Sequence, residues 1–188
     1  IGRYAAASAE FGDDLWITGG NPGRNPPTKS SEIVSIDGYV IPGPELPLEV
    51  TGHCMVELNT TTLMLIGGFG RFNNDLEFSN QTFYFDLENR IWSRGPDLLH
   101  ARDSHTCDVI VDNDTLERLV AVVGGSNSYD TLDSVEMLHL GNVTKGFFEG
   151  PKMPKSLSRH SMVEYKGKLY VIGGYDGGYY SSSIYEMY

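Results

Sequence analysis

The 188-residue chain is 40% hydrophobic, an ordinary content for a domain with a packed core, which excludes disorder over most of its length. Fourteen Lys and Arg against 25 Asp and Glu leave a net charge of −11 with no long block of either sign, so a nucleic-acid partner is disfavoured. The longest apolar runs are about six residues, against the ~20 of a membrane-crossing helix, and no segment reads as a span.

Residues 3–11 read as a first strand and 15–20 as a second, an apolar run closed by Gly19-Gly20; Val40-Ile-Pro-Gly-Pro44 completes this unit. A second unit opens on His53 with a strand over 53–58 and turns at Asn59-Thr-Thr-Thr62. It then carries the run 63–68 ending in Gly67-Gly68, Phe85-Asp86 and Ile91-Trp-Ser-Arg-Gly-Pro96. The third opens on His105, strand 105–110, with a longer polar insertion at Asp112-Asn-Asp-Thr115. The run 120–125 ending in Gly124-Gly125, a loop over 126–133, a strand over 134–138 and Phe147-Phe-Glu-Gly-Pro151 follow. The fourth opens on His160, strand 160–165, turns at Lys166-Gly-Lys168, and runs 169–174 into Gly173-Gly174. A loop over 175–182 and a strand over 183–187 complete it. Short apolar runs bounded by Gly, Pro and Asn are strand signals, and no helical periodicity intervenes.

The first glycines of the four pairs are spaced by 48, 57 and 49 residues, the insertion accounting for most of the long interval. Each pair ends a strand where the chain turns sharply and a neighbouring unit's ring approaches the backbone, so that a Cβ would collide. A phosphate-cradling role is rejected because no helix follows any pair. Proline in the fourth strands suits an outer edge, since it donates no ladder hydrogen bond. The unit is therefore four antiparallel strands, and radial stacking of such units makes a propeller.

Leu169-Tyr-Val-Ile-Gly-Gly174, Phe85-Asp86 followed by Trp92, and Gly-Pro-Lys-Met-Pro at 150–154 resemble the kelch motif, and the resemblance runs over essentially the whole chain. Phe147 and Val40 stand where that family usually has tryptophan, and Phe85 or Leu138 where it usually has tyrosine. The resemblance implies an all-β, kelch-type propeller with blades over 3–48, 52–98, 102–154 and 159–188, the last without its fourth strand. An incomplete ring is expected, an arc of a longer chain whose remaining blades would cover apolar faces at both ends.

His53, His105 and His160 hold matching positions, yet ligands of one metal must converge at ~2.0–2.3 Å on a point, which radially separated blades do not allow. Each histidine is expected to hydrogen-bond a loop. No metal, no cofactor and no catalysis are expected, because no elbow or triad signature is present. A galactose-oxidase-like or epimerase-like enzyme is the disfavoured alternative. Cys54 and Cys107 lie one and two residues after matched histidines, so their side chains point to opposite faces of their strands, and buried free thiols are expected. Four of the ten asparagines, Asn59, Asn80, Asn113 and Asn142, stand in Asn-x-Thr triplets in predicted loops, as in a glycosylated, secreted protein.

Protein or peptide binding through the loops of one face is what the resemblance implies, and loops are where function concentrates. Carried over by position, the candidates are Arg24, Phe69, Arg71, Tyr129, Tyr175 and Asp176 after the glycines, with Arg102 and Arg159 before first strands. Arginine and tyrosine are interface anchors, and the cluster Tyr175, Tyr179, Tyr180 is the composition of a recognition loop. Two contexts fit: an extracellular or cell-surface binding module, favoured by the triplets, and the substrate-reading propeller of an intracellular cullin-type ubiquitin ligase adaptor.

Overall fold

The apolar runs of the sequence become the second strands of four antiparallel sheets, in a computed structural model that describes residues 2–23, 26–72, 75–112, 114–166 and 168–187. Blade 1 consists of β1 (Ala7–Phe11), β2 (Asp14–Thr18), β3 (Ser31–Val34) and β4 (Val40–Pro42). A short β5 (Val50–Thr51) leads to β6 (Cys54–Asn59) and β7 (Thr62–Ile66). Next come a hairpin of β8 (Phe69–Phe72) and β9 (Asp75–Phe78), then β10 (Thr82–Asp86) and β11 (Ile91–Arg94). Blade 2 is β6, β7, β10 and β11 in that order across the sheet. Blade 3 is β12 (Thr106–Val111), β13 (Arg118–Val123), β14 (Val135–His139) and β15 (Phe148–Glu149). Blade 4 is β16 (Ser161–Tyr165), β17 (Lys168–Ile172) and β18 (Ile184–Glu186). One 3-10 turn, Val143–Lys145, is the only helical element among the described residues.

The first strands of neighbouring blades approach one another, β1 with β6, β6 with β12 and β12 with β16, so they line the hub and the fourth strands the rim. Continuous apolar sequence in β7 and β13 follows from burial on both faces: Leu63 to Ile66 and Val120 to Val123 are fully enclosed. Three apolar clusters fill the spaces between blades. Ala7, Phe11, Trp16 and Ile33 of blade 1 meet Met55, Leu63, Leu65 and Phe85 of blade 2. Val56, Leu58, Met64 and Ile66 meet Val120, Val122, Leu138 and Phe147 of blade 3, and Ile110, Leu119, Ala121 and Met137 meet Leu169 and Val171 of blade 4. Phe85 and Phe147, at the departures from the family pattern, supply the bulk required there, and Trp92 packs against Phe85 with ring centroids 5.0 Å apart and planes tilted by 48°.

The glycine pairs are where blades lock together. In all four pairs both residues have positive φ, from 56° at Gly19 to 104° at Gly68. The space that a side chain on the first glycine would need is filled by the next blade's histidine: a Cβ would lie 2.6 Å from His53 Cε1 at Gly19, 2.9 Å from His105 Cε1 at Gly67 and 2.9 Å from His160 Cε1 at Gly124. The second glycine's N–H donates to the segment that leads into the next blade: Gly20 to Val50 O at 2.8 Å, Gly68 to Arg102 O at 2.8 Å and Gly125 to Leu157 O at 2.9 Å. The approaching ring expected from sequence is thus the imidazole of the matched histidine.

Cys54 and Cys107 form a disulfide with a Cα–Cα distance of 6.0 Å, which corrects the expectation of free thiols. The two cysteines do lie on opposite faces of their own strands. One face of β6 looks forward to blade 3 while the other face of β12 looks back to blade 2, and blades stack face to face. Positions one and two after the histidine therefore meet across the interface. The same pairing recurs at the next interface, where Thr106 Oγ1 lies 3.6 Å from Met162 Sδ.

Candidate recognition site at the channel mouth

Antiparallel order places the second-to-third-strand loops and the fourth-to-first connections on one face, here the glycine face, and the tight hairpins on the other. On the glycine face the residue before each matched histidine position, Ala5, Gly52, Ser104 and Arg159, is left-handed, with φ of 51°, 62°, 54° and 55°. Three of these are not glycine, a conformation that costs about 1–3 kcal/mol each and persists only where surroundings impose it. The surroundings here are a hydrogen-bond ladder around the hub: Gly52 N to Ala5 O at 2.8 Å, Ser104 N to Gly52 O at 2.7 Å and Arg159 N to Ser104 O at 2.8 Å.

The ladder rims a depression of about 380 Å3 lined by Tyr4, Ala5, Thr51, Gly52, Asp103, Ser104 and Arg159, with the three histidines beneath. Burial pushes the Asp103 carboxyl up from its ordinary value, opposed by the Ser126 and Ser104 hydrogen bonds and the Arg159 charge. Ser126 Oγ donates to Asp103 Oδ1 at 2.7 Å. Desolvation lowers His53 to about 3 and His160 to about 4, and holds His105 well below its ordinary range, so all three are neutral. Thr18 Oγ1 stands 2.9 Å from His53 Nε2 and Thr106 Oγ1 2.9 Å from His160 Nε2, so strand hydroxyls partner two of the three histidines. Among the described residues no group of three or more His, Cys, Asp or Glu is placed to hold a metal ion.

Two loops rise beside this mouth. Backbone bridges tie Ser126 to Asp103 and Tyr175 to Ser158, anchoring the blade 3 and blade 4 loops to the rim. Both are then turned by one device: Asn127 Oδ1 accepts from the N–H groups of Tyr129 and Asp130, and Asp176 Oδ1 from those of Gly178 and Tyr179. Lys155 pairs with Asp176 at 2.5 Å and, with the turn N–H groups, holds that carboxyl well below the usual range. The outcome is a patch of raised aromatics, with Tyr129, Tyr179 and Tyr180 exposed by 90%, 80% and 81%. Tyr175 is half-buried against Tyr180, ring centroids 5.4 Å apart.

Of the sequence candidates, Tyr129, Tyr175, Asp176 and Arg159 are thus gathered around the blade 3 and blade 4 side of the mouth. Phe69 and Arg71 lie on β8, and Arg71 Nε is paired with Glu49 at 3.0 Å. Arg24 lies outside the described residues. Arg102 is a correction: it is fully buried beneath the mouth, donating to Gly124 O, Ser134 O, Ser134 Oγ and Glu136 Oε1, so it braces blade 3 and meets no partner. Arg3 makes three matching bonds in blade 1, to Gly19 O, Ser30 O and Glu32. The sequence reading missed the pairing of β8 with β9, where Phe69-Gly-Arg-Phe and Asp75-Leu-Glu-Phe flank two asparagines in sequence, and it missed Asp103 and Ser104, whose positions one and two before a matched histidine were available as a signal. Of the glycosylation triplets, Asn59 and Asn142 are exposed, Asn80 is half-buried, and Asn113 lies outside the described residues.

The family described as Kelch motif matches residues 156–187. These residues carry a kelch motif. A solved structure of YjhT superposes with a TM-score of 0.81 at 12% identity, covering 99% of this chain and 61% of that one, so the likeness concerns fold and the chain spans about three fifths of YjhT's length. No curated protein matches the chain. The match to the kelch motif falls on blade 4, which carries the Tyr175–Tyr180 loop, and the other blades share its glycine turns and entry residues.

Proposed function

We propose that this kelch propeller is an extracellular or cell-surface module that binds a protein or peptide at the glycine face, with Tyr129, Tyr179, Tyr180 and Arg159 as its anchors. One observation carries the reading: large aromatics stand almost wholly in solvent on loops that Asx turns and rim bridges hold in place. Rigid, exposed tyrosine gives contact area at low entropic cost, which is the chemistry of interface hot spots. Compartment is supported by the Cys54–Cys107 disulfide, since structural disulfides persist in oxidising surroundings and are rare in the cytosol. This favours the extracellular context over the intracellular ligase adaptor.

The test is site-specific photo-crosslinking on the secreted protein. A crosslinker at Tyr129 or Tyr179 is expected to capture a protein from the extracellular medium or cell surface, and one at Ile36, exposed on the hairpin face, is not. Capture should then weaken by roughly tenfold or more in a Tyr129→Ala, Tyr179→Ala double variant, the effect of losing one or two hot-spot anchors. Equal capture from both faces would refute the reading.

A further inference from the structure

We propose that Asn59 and Asn142 carry N-linked glycans, that Asn80 does not, and that the hairpin face is therefore the sugar-covered side of the molecule, opposite the recognition face. The inference rests on the extracellular part of the reading above.

Asn59 lies in the turn between β6 and β7, and Asn142 in the connection between β14 and β15, both exposed on the hairpin face. In each, the threonine of the triplet faces its own asparagine. Thr61 Oγ1 donates to Asn59 Oδ1 at 3.0 Å and Thr61 N at 2.9 Å, and Thr144 Oγ1 donates to Asn142 Oδ1 at 2.7 Å. These bonds fix which amide atom is engaged. Oδ1 is turned inward on the loop, and Nδ2, the atom that takes the sugar, makes no hydrogen bond among the described residues. In the transfer, Nδ2 attacks the anomeric carbon of a lipid-pyrophosphate-linked oligosaccharide. The N–C bond forms, the C–O bond to pyrophosphate breaks, the lipid pyrophosphate leaves with the electron pair, and Nδ2 gives up one proton to the transferase.

Asn80 has the same triplet for a different reason. Its Nδ2 donates to Leu98 O at 3.3 Å, and Thr82 is fully buried with Oγ1 donating to Pro96 O at 2.7 Å. Ser31, the matching residue of blade 1, makes the same bond to Pro44 O at 2.6 Å. The hydroxyl of Thr82 thus belongs to blade construction, tying the third strand to the Gly-Pro of the fourth, and its distance of two residues from an asparagine is incidental.

The chain, secreted from a eukaryotic host, is digested after enzymatic glycan release in heavy-oxygen water, which converts each formerly glycosylated asparagine to a labelled aspartate. Label is expected at Asn59 and Asn142 and not at Asn80. N59Q and T61A should each remove the same single glycan, N142Q and T144A the other, and T61S should retain the first. Bare Asn59 and Asn142, or a labelled Asn80, on secreted protein with the Cys54–Cys107 bond intact overturns the glycan assignment and leaves the binding reading standing. Retention of a reduced chain inside the cell overturns the extracellular reading and the assignment together.

Discussion

A single interlocking contact repeats through the protein: an imidazole seated against a glycine that has no room for a methyl group. At Gly124 a Cβ would lie 2.5 Å from Leu157 O and 2.9 Å from His160 Cε1, with φ at +59°, whereas at Gly173 its nearest neighbour would be Ser181 O at 3.5 Å. Gly124→Ala is therefore expected to cost about 2–4 kcal/mol and Gly173→Ala about 1–2 kcal/mol, the part due to left-handed backbone alone, a difference readable from chemical denaturation of the two variants. The histidines add a pH dependence. Their folded pKa values lie below 6.5, so as pH falls through that value the unfolded chain takes up protons that the native chain refuses. Stability should be level above about pH 7 and fall on acidification toward pH 4 by about 1.4 kcal/mol per pH unit for each histidine, measured by denaturant titration across that range. The glycines and histidines were legible because four copies align. The partnership between them was not, since each histidine serves the preceding unit.

Between elements, a disulfide and a buried ion pair do the work that the apolar clusters leave. The bond from β6 to β12 closes 53 residues of chain, and Cys54→Ser with Cys107→Ser is expected to lower unfolding free energy by about 2–4 kcal/mol, measured against wild type under non-reducing conditions. Arg102 and Glu136 are both fully buried, with Glu136 also accepting from Leu99 N and His100 N. Removing the guanidinium alone, as in Arg102→Leu, leaves a buried carboxylate without its cation and should cost about 3–5 kcal/mol. Arg3→Leu should cost less, because Glu32 keeps 22% of its side chain in solvent. Blades 2 and 4 dispense with the pair, placing Val50 with Phe83 and Leu157 with Tyr185 at the matching positions. Arginine, valine, arginine, leucine in one column is a pattern visible in sequence, yet a surface anchor and a buried brace look alike there, because burial depends on what covers the residue.

Across the whole molecule, alternation of strand direction sorts the connections onto two faces with different chemistry. The glycine face has the hydrogen-bonded rim, Arg159 and the exposed tyrosines; the hairpin face has Asn59 and Asn142. Substituting Tyr179 and Tyr180 by alanine should leave the thermal midpoint within about 1 °C of wild type, since both rings stand in solvent and surface changes of this kind stay within ±0.5 kcal/mol, while partner capture falls. A comparable loss of both properties would mean that the tyrosines hold the loop and do not present it.

Period, strand polarity, outer-edge proline and double glycine are properties of one blade and are written along the chain, so the kelch-type architecture could be read without coordinates. Everything that needed two blades could not. Whether Cys54 meets Cys107, whether Arg102 faces solvent, which histidine fills which glycine, and that β8 and β9 extend β5 into a small sheet all depend on stacking. Sequence spacing specifies the direction of a side chain within its own strand, and only the neighbouring blade supplies what that side chain meets.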